Sequence, residues 1–348
     1  RPKYSQPVRY GTAMRKPILV FIVIFCLIIS AISGSVVLDI ITYGNRPAGN
    51  GEHQSLIEIL PGQRFDQIAS QLNASGIIHK PTYFRLIART SSMDKKIMAG
   101  EYLLSSAMTP NQILNILASG KIYLHKLTIP EGLNLYQIAS VVSRTGLVSE
   151  MQFIQTARNS DLVRQKGIDA ASFEGYLYPD TYYFPKNITA EGVINTMIDR
   201  FRNVMLPEYE TLAKNKGFSI HQIITLASII EKETGSDQER PLIASVFYNR
   251  IKKNMRLESD PTVIYGIENF DGNLTRSHLS TPTPYNTYRI SGLPPGPIAN
   301  PGIHSIKAAL YPAESDYLFF VSKNDKTHEF SRNKAEHDRA VKLYQMGK

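Results

Sequence analysis

Two carboxylates stand near the end of one apolar stretch, Glu231 and Glu233 in SIHQIITLASIIEKETG, Ser219 to Gly235. Ile220, Ile223, Ile224, Ala227 and Ile230 recur at helical spacing, and Leu226 and Ile229 widen the stripe, so the segment reads as a buried helix. Ser219 suits its N-cap and Gly235 its stop. At about 100° per residue, Glu231 falls between Ile220 and Ile224, and Glu233 between Leu226 and Ile229. Both therefore sit on shoulders of the apolar face. A half-buried carboxyl holds its proton towards neutral pH and can serve as a general acid. Acids at a helix C-terminus also oppose the helix dipole, and such a local cost points to function. Spacing alone does not choose between the two.

Three further segments could hold a substrate. RLESDPTVIYG (Arg256–Gly266) is a turn entering an apolar stretch and carries Asp260 and Thr262. Tyr285-Asn286-Thr287-Tyr288 offers flat faces, hydroxyls and an amide, which suit sugar rings and N-acetyl groups. GLPPGPIANPG (Gly292–Gly302) is too rich in Gly and Pro for helix or central strand, and a rigid loop of this kind braces or shapes a site. The chain has no Trp and 19 Tyr, so Tyr is the stacking residue available. Other chemistries lack their parts. GxxxxGK[ST], GxSxG and HExxH are absent. The one Cys, Cys26, lies in an apolar run, which excludes a disulfide scaffold, a Cys-based zinc site and an outer thiol nucleophile. His328 and His337 read as surface residues. No metal and no cofactor is expected.

The elements that must position these residues follow from a wider pass. The 348 residues are 43% hydrophobic and 20% charged, an ordinary globular balance with room for two or three domains. Of the net charge of +9, five units come from Arg1, Lys3, Arg9, Arg15 and Lys16. A nucleic-acid protein concentrates charge in its folded part, so nucleic acid is not an expected partner. Pro17 to Leu38 has no charged residue and as a helix spans about 33 Å, enough for a bilayer core. The expected order is a basic tail over 1–16, a membrane helix over 17–43 with its N-terminus in the cytoplasm, and a polar linker over 44–54.

An internal repeat opens the outer part. ILPGQRFDQIASQLNASGII (59–78) aligns without gaps on IPEGLNLYQIASVVSRTGLV (129–148), matching Gly62 to Gly132, the two QIAS runs, and Gly76 to Gly146. Each copy reads as strand, turn, amphipathic helix, glycine stop and a second strand start. A looser third unit runs from Met108 to Gly120. Such units resemble LysM-type modules, which bind glycans containing N-acetylglucosamine, so a LysM-like α/β domain is expected over 55–158. A mixed α+β catalytic domain is expected over 159–348.

EGYLYPDTY (Glu174–Tyr182), ASIIEKET (Ala227–Thr234), RLESDPTVIYG, YNTY and GLPPGPIANPG occur in this order. Together with the apolar span and the repeat domain they resemble the YceG-like family, the bacterial endolytic murein transglycosylases, over nearly the whole chain. The resemblance implies an α+β, single-pass inner-membrane enzyme that cuts nascent peptidoglycan strands between N-acetylmuramic acid and N-acetylglucosamine. It would leave a 1,6-anhydro end and terminate elongation. Lytic transglycosylases carry their acid in a Glu-Ser or Glu-Thr pair at a helix end. Only Glu233, followed by Thr234, fits, and Glu231 stands in reserve. Asp260, Thr262, Tyr285, Asn286 and Tyr288 would then hold the sugar. Glycan strands and the membrane are the implied partners, with wall synthases as a further one. A non-catalytic peptidoglycan-binding scaffold, and a two-carboxylate hydrolase with Asp260 as second acid, are the alternatives.

Overall fold

The computed structural model describes residues 15–346. The expected basic tail lies outside these except for Arg15 and Lys16. The chain is mixed α+β and divides into two compact units between Leu124 and His125.

The first unit begins with α1 (Arg15–Gly44). Its stretch Leu19–Gly44 contains an 18-residue window of mean hydropathy 2.8, none of it buried in the protein, and is long and apolar enough to cross a membrane. β1 (Gln54–Ile59) pairs antiparallel with β2 (Gly100–Ser105). α2 (Phe65–Ala74), α3 (Pro81–Thr90) and α4 (Pro110–Ser119) cover one face of that ribbon. Ile57, Leu72, Phe84, Tyr102 and Leu114 form the core there.

The second unit starts with β3 (His125–Thr128), α5 (Leu135–Arg144), α6 (Glu150–Ala157) and α7 (Ser160–Gln165). β4 (Thr181–Phe184), α8 (Ala190–Val204) and α9 (Pro207–Asn215) follow. The site is carried by α10 (Ile220–Glu233), α11 (Arg240–Lys252), α12 (Asp260–Tyr265), α13 (Arg276–Ser280) and α14 (Ile303–Leu310). β5 (Phe319–Ser322), β6 (His328–Ser331) and α15 (Lys334–Gln345) close the chain.

The repeat is real at the level of local structure. α2 and α5 have equal length, and each follows a turn through a left-handed glycine, Gly62 at φ +76° and Gly132 at φ +77°. Gln67 and Gln137 each accept from the backbone amide before their helix, Arg64 at 3.2 Å and Asn134 at 3.0 Å. The strands expected after Gly76 and Gly146 do not form. Ile77 and Ile78 are buried without strand geometry, and Val148 leads into α6.

The two copies fall on opposite sides of the division after Leu124, whereas the sequence reading places both in one domain over 55–158. β3 takes β4 as its antiparallel partner, Leu127 opposite Tyr182. Leu127, Ile138, Phe153, Tyr182 and Ile194 then share one core. A lone strand leaves its backbone groups unpaired. The partner that satisfies β3 lies beyond residue 158, so the second copy goes with the chain that follows it.

α10 is the axis of the second core. Ile223 to Ile230 are buried without interruption, and each fully buried Ile or Leu contributes about 1.5–3 kcal/mol. The helix is thus fixed in rotation as well as position. Ser219 caps it as expected, its Oγ accepting from the Gln222 amide at 3.2 Å. The stop differs from expectation. Thr234, extended at φ −147°, ends the helix, and no left-handed Gly235 is used.

Candidate active site

The last turn of α10 delivers its two glutamates into different surroundings. Glu231 is 7% exposed and faces the start of α14. Its Oε2 accepts from the Gly302 amide at 3.1 Å and from Ser305 Oγ at 2.7 Å, and its Oε1 lies 3.5 Å from Arg240 Nη2. It therefore caps α14, whose N-cap residue, Gly302, has no side chain to do so. These contacts tie α10 to the start of α14 and, through Arg240, to α11. The geometry gives Glu231 a structural place.

Glu233 retains part of its surface, while its carboxyl is crowded by protein. Its Oε1 accepts a 2.5 Å hydrogen bond from Ser259 Oγ. Burial pushes the carboxyl up to about 7, and the nearby charge of Asp260 adds to this. The Ser259 hydrogen bond and Arg250 pull the other way. The balance leaves an acid that holds its proton towards neutral pH.

Ser259 is placed by a rigid turn. Its amide donates to Thr287 Oγ1 at 2.9 Å, and its carbonyl accepts from Thr262 Oγ1 at 2.6 Å. Glu258 before it is left-handed at φ +51° and pairs with Arg250 at 3.2 Å. Arg250 Nη1 also donates to the Leu257 carbonyl at 2.9 Å. Sequence reasoning passed over Ser259, because a Ser before Asp-Pro reads as an N-cap. It occupies that position on α12, yet its hydroxyl makes no cap bond and turns to Glu233 instead.

The residues expected to hold a sugar divide into two sets. Asp260 is exposed, and its Oδ1 accepts from Tyr288 Oη at 2.7 Å. Tyr288 and Tyr285 are both partly exposed. These three remain available. Thr262 and Asn286 do not. Thr262 is fully buried against Thr287, Oγ1 to Oγ1 at 2.8 Å. Asn286 is fully buried, and its Nδ2 donates to the carbonyls of Thr281, Leu279 and His278, at 2.7 Å for Thr281. Both brace the loop from behind. Residue type alone could not separate these roles, since an inward and an outward amide carry the same atoms.

The Pro-Gly loop is a brace as expected. The Ile298 amide donates to Ser228 Oγ on α10 at 3.0 Å, and His221 Nε2 bonds the Pro295 carbonyl at 3.0 Å. Gly175, left-handed at φ +86°, lets the EGYLYPDTY turn lie against Pro297, where a side chain would collide. Beside it Glu174 is buried and unmentioned by any sequence signal except its place in that motif. Its carboxyl accepts from the Leu135 amide at 3.0 Å, Asn300 Nδ2 at 2.9 Å and Tyr265 Oη at 3.1 Å. Burial pushes it up to about 7. Glu174 thus ties α5, the Pro-Gly loop and α12 to one point. Away from the site, His328 Nδ1 bonds Glu239 at 2.7 Å, and His337 stacks on Phe319.

With this geometry in place, comparison with other proteins is decisive. The YceG-like family model matches residues 57–343. The chain belongs to the YceG-like family. It is 34% identical to the endolytic murein transglycosylase of Bacillus subtilis over 83% of this chain and 84% of that protein. It is 28% identical to the endolytic murein transglycosylase of Streptococcus pneumoniae D39, over 84% of this chain and 58% of that longer protein. A crystal structure of a YceG-like protein from Listeria monocytogenes matches with TM-score 0.58 and 33% identity, over 83% of this chain and 99% of the other.

Proposed function

We propose that this YceG-like protein is a membrane-anchored endolytic lytic transglycosylase of peptidoglycan, with Glu233 as its catalytic residue. The observation that carries the reading is the Ser259 Oγ hydrogen bond, 2.5 Å, to a Glu233 carboxyl that burial pushes up to about 7. Glu233 gives its proton to the glycosidic oxygen between N-acetylmuramic acid and N-acetylglucosamine, and the C1–O bond breaks. The carboxylate then takes the proton of the same muramic acid's 6-hydroxyl, whose oxygen closes on C1. Proton and water balance without a hydrolytic step. One carboxyl serves twice because the nucleophile is intramolecular. Ser259 donates to the carboxylate in the interval when it is charged. Asp260 and Tyr288 lie beside the acid and, with Tyr285, contact the sugar. α1 anchors the chain in the bacterial plasma membrane with the two units outside the cytoplasm, where wall synthases supply new strands.

The test is mass spectrometry of products from purified glycan strands. Anhydro ends, lighter by one water than reducing ends, are expected. Reducing ends would make water the nucleophile and Asp260 the second acid. Binding without any cleavage would leave a scaffold.

A further inference from the structure

The second unit holds a cavity of about 930 Å³ walled on one side by α5 and on the other by α12 and the chain after it. Its lining includes Lys232 and Pro261, the chain neighbours of Glu233 and Asp260, so it lies close beside the site. Three rings line it, Tyr136, Tyr265 and Phe270. Tyr136 is 46% exposed at the first turn of α5. Tyr265 is held from behind by Glu174 and lies against Tyr285, with ring centroids 4.7 Å apart. Asn134 and Gln137, fixed by their mutual capping bonds, add amides at the rim. A second cavity of about 830 Å³, between α6 and α8, has no aromatic face and no link to Glu233.

The geometry points to this cavity as a saccharide subsite for an N-acetylated sugar of the glycan strand, flanking the scissile bond, with Tyr136 and Phe270 as its stacking faces. The inference rests on the transglycosylase reading for its substrate. Aromatic rings with neighbouring amides recognise a pyranose, whose C–H face is apolar and whose N-acetyl group pairs with amides. The lining is mixed: Lys232 is its one cation, its Nζ already donating to the Gly132 carbonyl at 3.2 Å, and Glu268 is its one carboxylate. That favours sugar over an acidic peptide stem. The second repeat copy thereby gains a role that the first cannot share, because Tyr136 stands where the first copy has Asp66.

The experiment uses the full chain in detergent and stem-free glycan oligomers of graded length. Tyr136→Ala and Phe270→Ala are expected to raise KM on long oligomers about tenfold, with kcat within about twofold. Tyr136→Phe keeps the ring and loses only the hydroxyl that accepts from Arg158, so it should restore wild-type KM. Unchanged KM in both alanine variants, with melting curves like the parent's, overturns the subsite. So does a Tyr136→Phe variant as impaired as Tyr136→Ala, which would assign the effect to the Arg158 bond. An effect seen only with stem-bearing strands would place the peptide here and also overturn it. Should the wild type cut no strand at all, the transglycosylase reading fails separately. Titration with N-acetylglucosamine oligomers then decides the subsite alone: loss of binding in Tyr136→Ala supports it, and absence of binding by the wild type ends it.

Discussion

Glu233 carries the strongest expectations at the residue scale. Glu233→Gln keeps size and hydrogen bonding but cannot cycle a proton, so cleavage should fall at least about 100-fold while the fold survives. Stability should respond with a defined sign. The folded-state value of about 7 lies above the ordinary glutamate value of 4.5. The folded protein therefore binds more protons than the unfolded chain between those values, and its stability falls as pH rises through them. Glu174, also near 7, adds to the same trend. Thermal melting from pH 4 to pH 8 should show the parent losing ground to Glu233→Gln, with the gap opening towards neutral pH. A constant gap would mean that the carboxyl titrates alike in the folded and the unfolded chain. Ser259→Ala offers an independent check. The hydroxyl stabilises the charged carboxyl, so its removal raises the pKa of Glu233. The falling limb of the pH–rate profile should move up by about one unit, the worth of one hydrogen bond to a charged group. A downward move would show that Ser259 bonds the protonated form instead.

At the element scale, α10 and α14 are joined by Glu231 rather than by packing alone. Removing one partner of a buried ion pair costs about 3–5 kcal/mol, and Glu231→Ala also uncaps α14. Urea denaturation should show a loss of that order. Among molecules still folded at low temperature, the turnover per folded molecule should stay near the parent's. A stable Glu231→Ala protein with no activity would transfer the acid's role two residues back along the helix. The contrast between the neighbours has a simple origin. Two residues apart on a helix, they point about 200° apart, one towards the α14 N-terminus and one towards the Ser259 turn.

At the scale of the whole molecule, the division after Leu124 gives a testable dissection. A fragment of residues 125–348 keeps β3 with β4 and both cores of the second unit, so it should unfold cooperatively in urea. A fragment of residues 55–158 strands β3 and α5 without Tyr182, Phe184 and α8, so its second repeat should exchange its amides quickly. Protection of both repeats in the shorter fragment would support the boundary expected from sequence. The apolar α1 gives a further expectation. Protease added outside stripped cells should digest the two units, and their protection would reverse the proposed orientation.

The sequence alone determined what depends on neighbours along the chain. The apolar span, the helix over 220–233, the glycine turns of the repeat and the ordered motifs are short-range patterns of hydrophobicity and backbone freedom. They were legible because helical period and left-handed turns are written within a few residues of one another. What only the tertiary structure decided depends on meetings across long sequence gaps. Ser259 reached Glu233 from 26 positions away, and Glu174 gathered Leu135, Tyr265 and Asn300 from three segments. Asn286 and Thr262 turned inward, and β3 chose β4 over the first repeat's ribbon. Side-chain direction and strand partnership are set by burying apolar surface and pairing polar groups over the whole unit at once, a condition that no window of the sequence contains.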